Sequence, residues 1–148
     1  DENYWALNGD TYMKGAWVMH TLRSAINDDS IWFGILKEFM VENAKGHVST
    51  EDFFSKVKEK TGTDYSYFSD QYFYSPNQPE LEHYQTDKEF YYRWNNINDN
   101  FVMPIDLLIN GIEERVFPNQ KFQSFNIKQH STIEVMDWKF YVKLIKKN

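Results

Sequence analysis

"EFYYRWNNINDNFVMPIDLLINGIEERVF", residues 89–117, is the stretch in which the chain's hydrophobic period becomes two. Phe90, Tyr92 and Trp94 alternate with Tyr91 and Arg93. Phe101, Met103, Ile105, Leu107 and Ile109 alternate with Val102, Pro104, Asp106 and Leu108. Side chains of a strand point to opposite faces in turn, so this pattern predicts strands with one buried face. Asn110-Gly111 predicts a two-residue hairpin turn, because both residues tolerate positive φ. "IEERVF" returns from it. Pro104 inside the pattern predicts an edge or a bulge. Further strands are expected at about 122–128, 132–136 and 138–146, with Trp138, Phe140, Val142 and Leu144 on one face of the last.

Upstream the period is 3.6. Gly15, Val18, Met19, Leu22, Ala25 and Ile26 fall on one face of a helix that Asp10 or Thr11 can cap. A second helix runs from about Asp29, with Ile31, Trp32, Ile35, Leu36, Phe39 and Met40 as its stripe and Gly46 as its stop. "VSTEDF" places Ser49 at a cap with Asp52 three residues on, close to a capping box, and Thr61-Gly62 ends that third helix. A fourth, short helix spans about Asp64 to Phe73, with Tyr65, Phe68 and Tyr72 on one side, before Pro76 and Pro79. The expected fold is therefore α+β. About four helices (residues 1–78) precede a small antiparallel β-sandwich of six or seven strands (79–148).

Composition narrows the function. Of 148 residues, 41% are hydrophobic and 18% aromatic, enough to build a core. The net charge of −6 speaks against a phosphate-binding surface, so no nucleic-acid partner is expected. Lys143, Lys146 and Lys147 read as a frayed, solvated terminus. The absence of cysteine excludes disulfides and thiolate chemistry. No apolar run reaches the ~20 residues that span a bilayer, so no transmembrane segment is expected. The chain opens on "DENYWALNGD" without Met and reads as a piece of a longer protein. Nothing in it indicates a compartment.

The chemistry-bearing residues are sparse. His20, His47, His83 and His130 have no second histidine three or four positions away, so there is no HExxH helix. His20 reads as a structural residue of the first helix. Asp28-Asp29 fits a helix start. Glu113-Glu114 would point to opposite faces of a strand. No serine has a G-x-S-x-G setting and no glycine run forms a phosphate loop. Taken alone, these residues describe a non-catalytic unit.

Three motifs add to this. "YMKGAWVMHTLR" (12–23) resembles the Tyr-x-Lys-Gly-Ala helix near the C-terminal end of the gluzincin aminopeptidases, the membrane-alanyl-aminopeptidase-like zinc metallopeptidases. "VSTEDFFSKVKEKTG" (48–62) is similar to that family's Thr-x-x-Asp-Phe segment. "YFSDQYFYSPNQPEL" (67–81) is similar to its Phe-Phe-Asp-Gln-Trp-Leu-Tyr-x-x-Gly-x-Pro ending, with Ser69, Tyr72 and Asn77-Gln78 departing from it. The family removes N-terminal residues from peptides at a single zinc. The resemblance implies that Tyr12, fixed at a helix start, donates a hydrogen bond to the oxyanion of the tetrahedral intermediate. Gly15 would then allow another helix to approach, Trp17 would fill core or else cover the site, and Lys14 would be exposed or paired.

The HExxH, the further Glu ligand and the Gly-x-Met-Glu-Asn motif of that family are not in this sequence; "VEN" at 41–43 is a shadow of the last. The resemblance therefore implies zinc held by ligands outside these residues and none bound here. It also implies a peptide substrate, a zinc-bearing partner portion upstream, and a segment that is inactive alone and prone to self-association. The alternative from the residues is a peptide-, glycan- or protein-binding sandwich presenting Tyr91, Trp94 and Tyr141, or a catalytically dead scaffold.

Overall fold

The structure is a computed structural model that describes residues 3–147, with side chains from residue 12 onward. Four helices come first: α1 (Asn3–Ile26), α2 (Asp29–Glu42), α3 (Thr50–Thr61) and α4 (Ser66–Tyr72). Seven strands follow among the described residues: β1 (Glu80–Gln85), β2 (Glu89–Asn95), β3 (Ile105–Ile109), β4 (Ile112–Val116), β5 (Gln123–Asn126), β6 (Ile133–Val135) and β7 (Lys143–Lys146), with a 3-10 turn at Asp137–Lys139 before β7. The α+β class expected from the change of period is the class observed.

Local chemistry sets the helix ends. Asp28 accepts from the N–H of Ile31 and caps α2. At α3 the capping box forms in full: Ser49 accepts from Asp52 N at 3.1 Å, and the Asp52 carboxylate accepts from Ser49 N at 2.8 Å. Gly62 ends α3 with φ of 71°, a left-handed value that costs a side-chain-bearing residue. The second helix stops sooner than Gly46 predicts, at Glu42, where the Asn43 side chain takes the carbonyl of Phe39 at 2.8 Å. Its Met40 is exposed rather than part of the buried stripe.

The first helix departs further from expectation. It already includes residues 10 and 11, so neither Asp10 nor Thr11 starts it, and Tyr12 lies within the helix rather than at its beginning. The caps proposed for their side chains lie outside the described residues. Only the C-terminal part of the stripe is buried: Val18, Leu22 and Ala25 join the core, and Gly15 is exposed with nothing within 4 Å of where a Cβ would stand. Trp17 is partly exposed, not core.

The strands form two sheets, β5-β2-β1-β7 and β4-β3-β6. The Asn110-Gly111 turn closes the β3–β4 hairpin, with φ of 49° and 82° and Ile109 opposite Ile112. The strand β1, which the sequence pattern did not mark, lies in the middle of its sheet. One pairing corrects the antiparallel expectation: β7 runs parallel to β1, with Leu81 opposite Leu144. The expected strand at 138–146 shortens to Lys143–Lys146, because Trp138 belongs to the 3-10 turn and is exposed. The lysines there are not frayed. Lys143 and Lys146 are in β7, Lys143 pairs with Glu80, Lys147 pairs with Glu82, and Lys147 N donates to His83 O. Pro104 is neither at an edge nor in a bulge; it directly precedes β3, the central strand of its sheet, where no ladder hydrogen bond is yet required.

One apolar cluster joins helices and sheets, from Leu22 and Ile35 through Phe54, Phe68 and Tyr72 to Leu81, Trp94, Met103, Ile105 and Phe140. Polar groups inside it are satisfied. Gln71, fully buried on α4, donates to Asn77 O at 2.8 Å and accepts from Asn98 N at 2.7 Å, tying the loop before β1 to the loop between β2 and β3.

Candidate functional site

The exposed side of α1 carries Tyr12, the site residue the sequence pointed to. Tyr12 is 79% exposed, and Lys14 and Ala16 are exposed beside it. Positions 12, 16 and 20 are four apart, so Tyr12, Ala16 and His20 lie along one helix face. Trp17 meets the His20 ring edge-on at a centroid distance of 5.9 Å, and Ala16, Trp17 and His20 line a shallow pocket of about 300 Å³. His20 Nε2 lies 3.2 Å from the carbonyl oxygen of Trp138. The histidine is therefore tethered to the 3-10 turn and exposed rather than packed in a core.

The face continues toward the helix C-terminus. A second depression, of about 320 Å³, is lined by His20, Arg23, Ser24, Asn27, Asp29 and Lys139. Arg23 and Asp29 form a two-point ion pair at 2.8 and 2.7 Å. Hydrogen bonding to Arg23 lowers the Asp29 carboxyl below its ordinary range. Both residues face solvent, so the pair contributes little to stability.

This face offers a phenolic donor and an imidazole. It does not offer a metal site: among the described residues no group of three or more His, Asp or Glu side chains can hold a metal ion. His20 is on α1, His47 between α2 and α3, His83 on β1 and His130 between β5 and β6. These four described histidines therefore stand on four separate parts of the fold. In the helix interior, hydrogen bonds on both sides hold the backbone of Tyr12, which limits its movement relative to the rest of α1.

The three aromatics of the alternative reading do not share a surface. Trp94 is 1% exposed, faces the core and donates from Nε1 to Met103 O at 2.9 Å. Tyr91 lies on the opposite face of β2, stacked on Tyr84 at 4.5 Å, and donates to Glu89 at 2.6 Å. Tyr141 sits where α1 meets the sandwich, its ring 6.3 Å from that of Tyr72.

A cluster at the base of α1 was not marked from the sequence. Asp106 is fully buried on β3, although the alternating pattern placed it away from the core. Both faces of β3 are covered, because the end of α1 and the 3-10 turn close over the second one through Arg115 and Lys139. A carboxylate in the middle of "MPIDLLI" was the signal. Counting outward from Asn110-Gly111 places Arg115 directly opposite it.

No family model matches the sequence, and no curated protein matches it. In three dimensions the chain is similar to aminopeptidase A of Legionella pneumophila, solved in complex with aspartic acid. The TM-score is 0.70 at 17% identity, over 92% of this chain. The chain spans 18% of that protein's length. At this identity the likeness is one of fold: a helical segment followed by two sheets, in the same arrangement as part of an aminopeptidase.

Proposed function

We propose that this chain is the end of the catalytic domain (1–78) and the following β-sandwich (79–148) of a zinc-dependent aminopeptidase, with Tyr12 as its oxyanion donor. The observation that carries this reading is the fold likeness to an aminopeptidase over 92% of the chain. It is supported by Tyr12 lying exposed on a helix face within a Tyr-x-Lys-Gly-Ala stretch. The metal ligands and the general base would belong to a part of the protein outside this chain. Hydrolysis of a peptide's first amide passes through a tetrahedral intermediate with negative charge on the former carbonyl oxygen. A phenol aimed at that oxygen strengthens its hydrogen bond as charge develops, and it needs no reorganisation if the helix holds it in place.

The test is Tyr12→Phe in the complete protein, assayed on a peptide with a free N-terminus. The expected result is a fall in kcat on the order of 10²–10³ with little change in KM. Unchanged kcat would remove the oxyanion role. The 148-residue chain alone is expected to release no N-terminal residues with or without added zinc, and metal-dependent cleavage by it would overturn the division of labour proposed here.

A further inference from the structure

Between Tyr12 and Trp17 every side chain of α1 is exposed. Among the described side chains of α1, the buried ones that seat the helix begin at Val18. Val18, Leu22 and Ala25 seat it on the core. Apolar burial is non-directional, however, and leaves sliding and tilting weakly specified. Hydrogen bonds from the sandwich supply the missing directions.

The first set comes from β4. Arg115 donates from Nη2 to the carbonyl of Ser24 at 2.7 Å and from Nη1 to that of Ala25 at 3.0 Å. These are among the last carbonyls of the helix, which have no partner within it, and a cation there meets the negative end of the helix dipole. The same guanidinium donates from Nε and Nη2 to Asp106 at 2.7 and 3.0 Å. The Asp106 side chain is 1% exposed, and Lys139 Nζ approaches it at 3.1 Å. Lys139 also pairs with Glu113, so two cations and two carboxylates balance. Fixed on both sides in this way, the Arg115 fork cannot follow the helix if the helix moves. The second set is one turn earlier. Thr21, fully buried, accepts from the N–H of Tyr141 at 2.7 Å and donates to the Trp17 carbonyl at 2.8 Å.

We infer that Arg115, held by Asp106, and Thr21 are positioning residues through which the β-sandwich sets the axial and angular placement of α1, and with it Tyr12. The catalytic consequence rests on the aminopeptidase reading above. From residue 25 to residue 12 the helix runs about 20 Å. A tilt of roughly 3° at the clamp therefore moves Tyr12 by about 1 Å, and an error of that size costs on the order of 10² in rate.

Two measurements test this. The chain contains no cysteine, so Lys14→Cys and Glu134→Cys, both at exposed positions, give a clean spin-label pair across the junction of helix and sandwich. Arg115→Lys keeps a cation beside Asp106 but loses the fork to the helix carbonyls; Thr21→Val keeps the shape but loses the bond to Tyr141. Each is expected to widen the distance distribution about twofold or more, and in the complete protein to lower kcat ~10–100-fold with KM nearly constant. Should one variant fail to fold, the other carries the test. An unchanged distribution in the folded variants would overturn the inference, as would a fall in kcat without widening. If the distribution widens while Tyr12→Phe leaves kcat untouched, the clamp stands and the role of Tyr12 falls.

Discussion

Asp106 and Arg115 stand directly opposite each other on β3 and β4, and their side chains meet in a two-point ion pair beneath the last turn of α1. A carboxylate so deeply buried is tolerable only with its partners in place. Arg115→Met should therefore destabilise the protein by about 3 kcal/mol, tempered by the remaining Lys139. Replacing both members, as Asp106→Leu with Arg115→Met, should recover part of that loss, because no unpaired charge is left inside. Urea unfolding of the two variants measures the difference, and a double variant less stable than the single one would contradict this account.

Trp94 and Tyr91 lie on opposite faces of β2. Trp94→Ala is expected to cost about 3–5 kcal/mol, since it empties the centre of the core and orphans the Met103 carbonyl. Tyr91→Ala should cost about 1 kcal/mol, the worth of an outer-face stack on Tyr84. Equal and small effects in thermal unfolding would revive a shared binding surface.

The ends of α3 give a cleaner local test. Ser49→Ala removes one half of the capping box and should cost about 1 kcal/mol. Gly62→Ala has space for its methyl group but not the backbone angle, and should cost about 1 kcal/mol or slightly more. Calorimetry that finds either change stabilising would show that these ends are set by packing instead.

Acid should lower the protein's stability over two pH windows. His83 is pushed below its ordinary 6.5 by burial and then by Lys146. The unfolded chain protonates first, so the stability this histidine contributes is full above about pH 6.5 and lost as pH falls through its lower folded value. Asp64 is brought from 3.8 down to about 2 by hydrogen bonds from Lys58 and the Ser66 N–H. Its contribution has the same sign: present above about pH 4 and lost as pH falls toward 2. Asp64 is on the surface, so its effect is small and weakens with salt. Urea midpoints taken from about pH 8 to about pH 2 should show His83→Gln flattening only the upper limb and Asp64→Asn only the lower. Identical curves for all three proteins would refute the assignment.

Tyr12, Met13 and Trp17 leave apolar surface on the free stretch of α1, and Phe33, Met40 and Val41 do so on α2. Exposed apolar area of this kind promotes association. Sedimentation of the 148-residue chain should show a weight that rises with concentration, and Met13→Lys with Val41→Lys should suppress the rise. A constant monomer weight at high concentration would count against it.

Much of this protein was written locally. Ser49 with Asp52, Gly62 after α3 and Asn110-Gly111 between β3 and β4 each specify their turn through nearest neighbours, and all three formed as the residues require. The alternation of Phe90, Tyr92 and Trp94 placed those rings inward for the same reason. The α+β order followed from where the period changes. Other features depended on contacts between residues far apart in the chain. The pattern could not give β7 its parallel partner, because pairing direction depends on where the chain returns. It could not mark Asp106 as buried, because the covering groups come from α1 and from Lys139. Nor could it reveal that the stripe on α1 is used only from Val18 onward, since a helix can be apolar along one side whether or not anything packs there. Periodicity and capping act over a few residues and were legible; burial, strand partners and the ion-pair clamp on α1 are decided by which distant surfaces meet, and only the tertiary structure sets that.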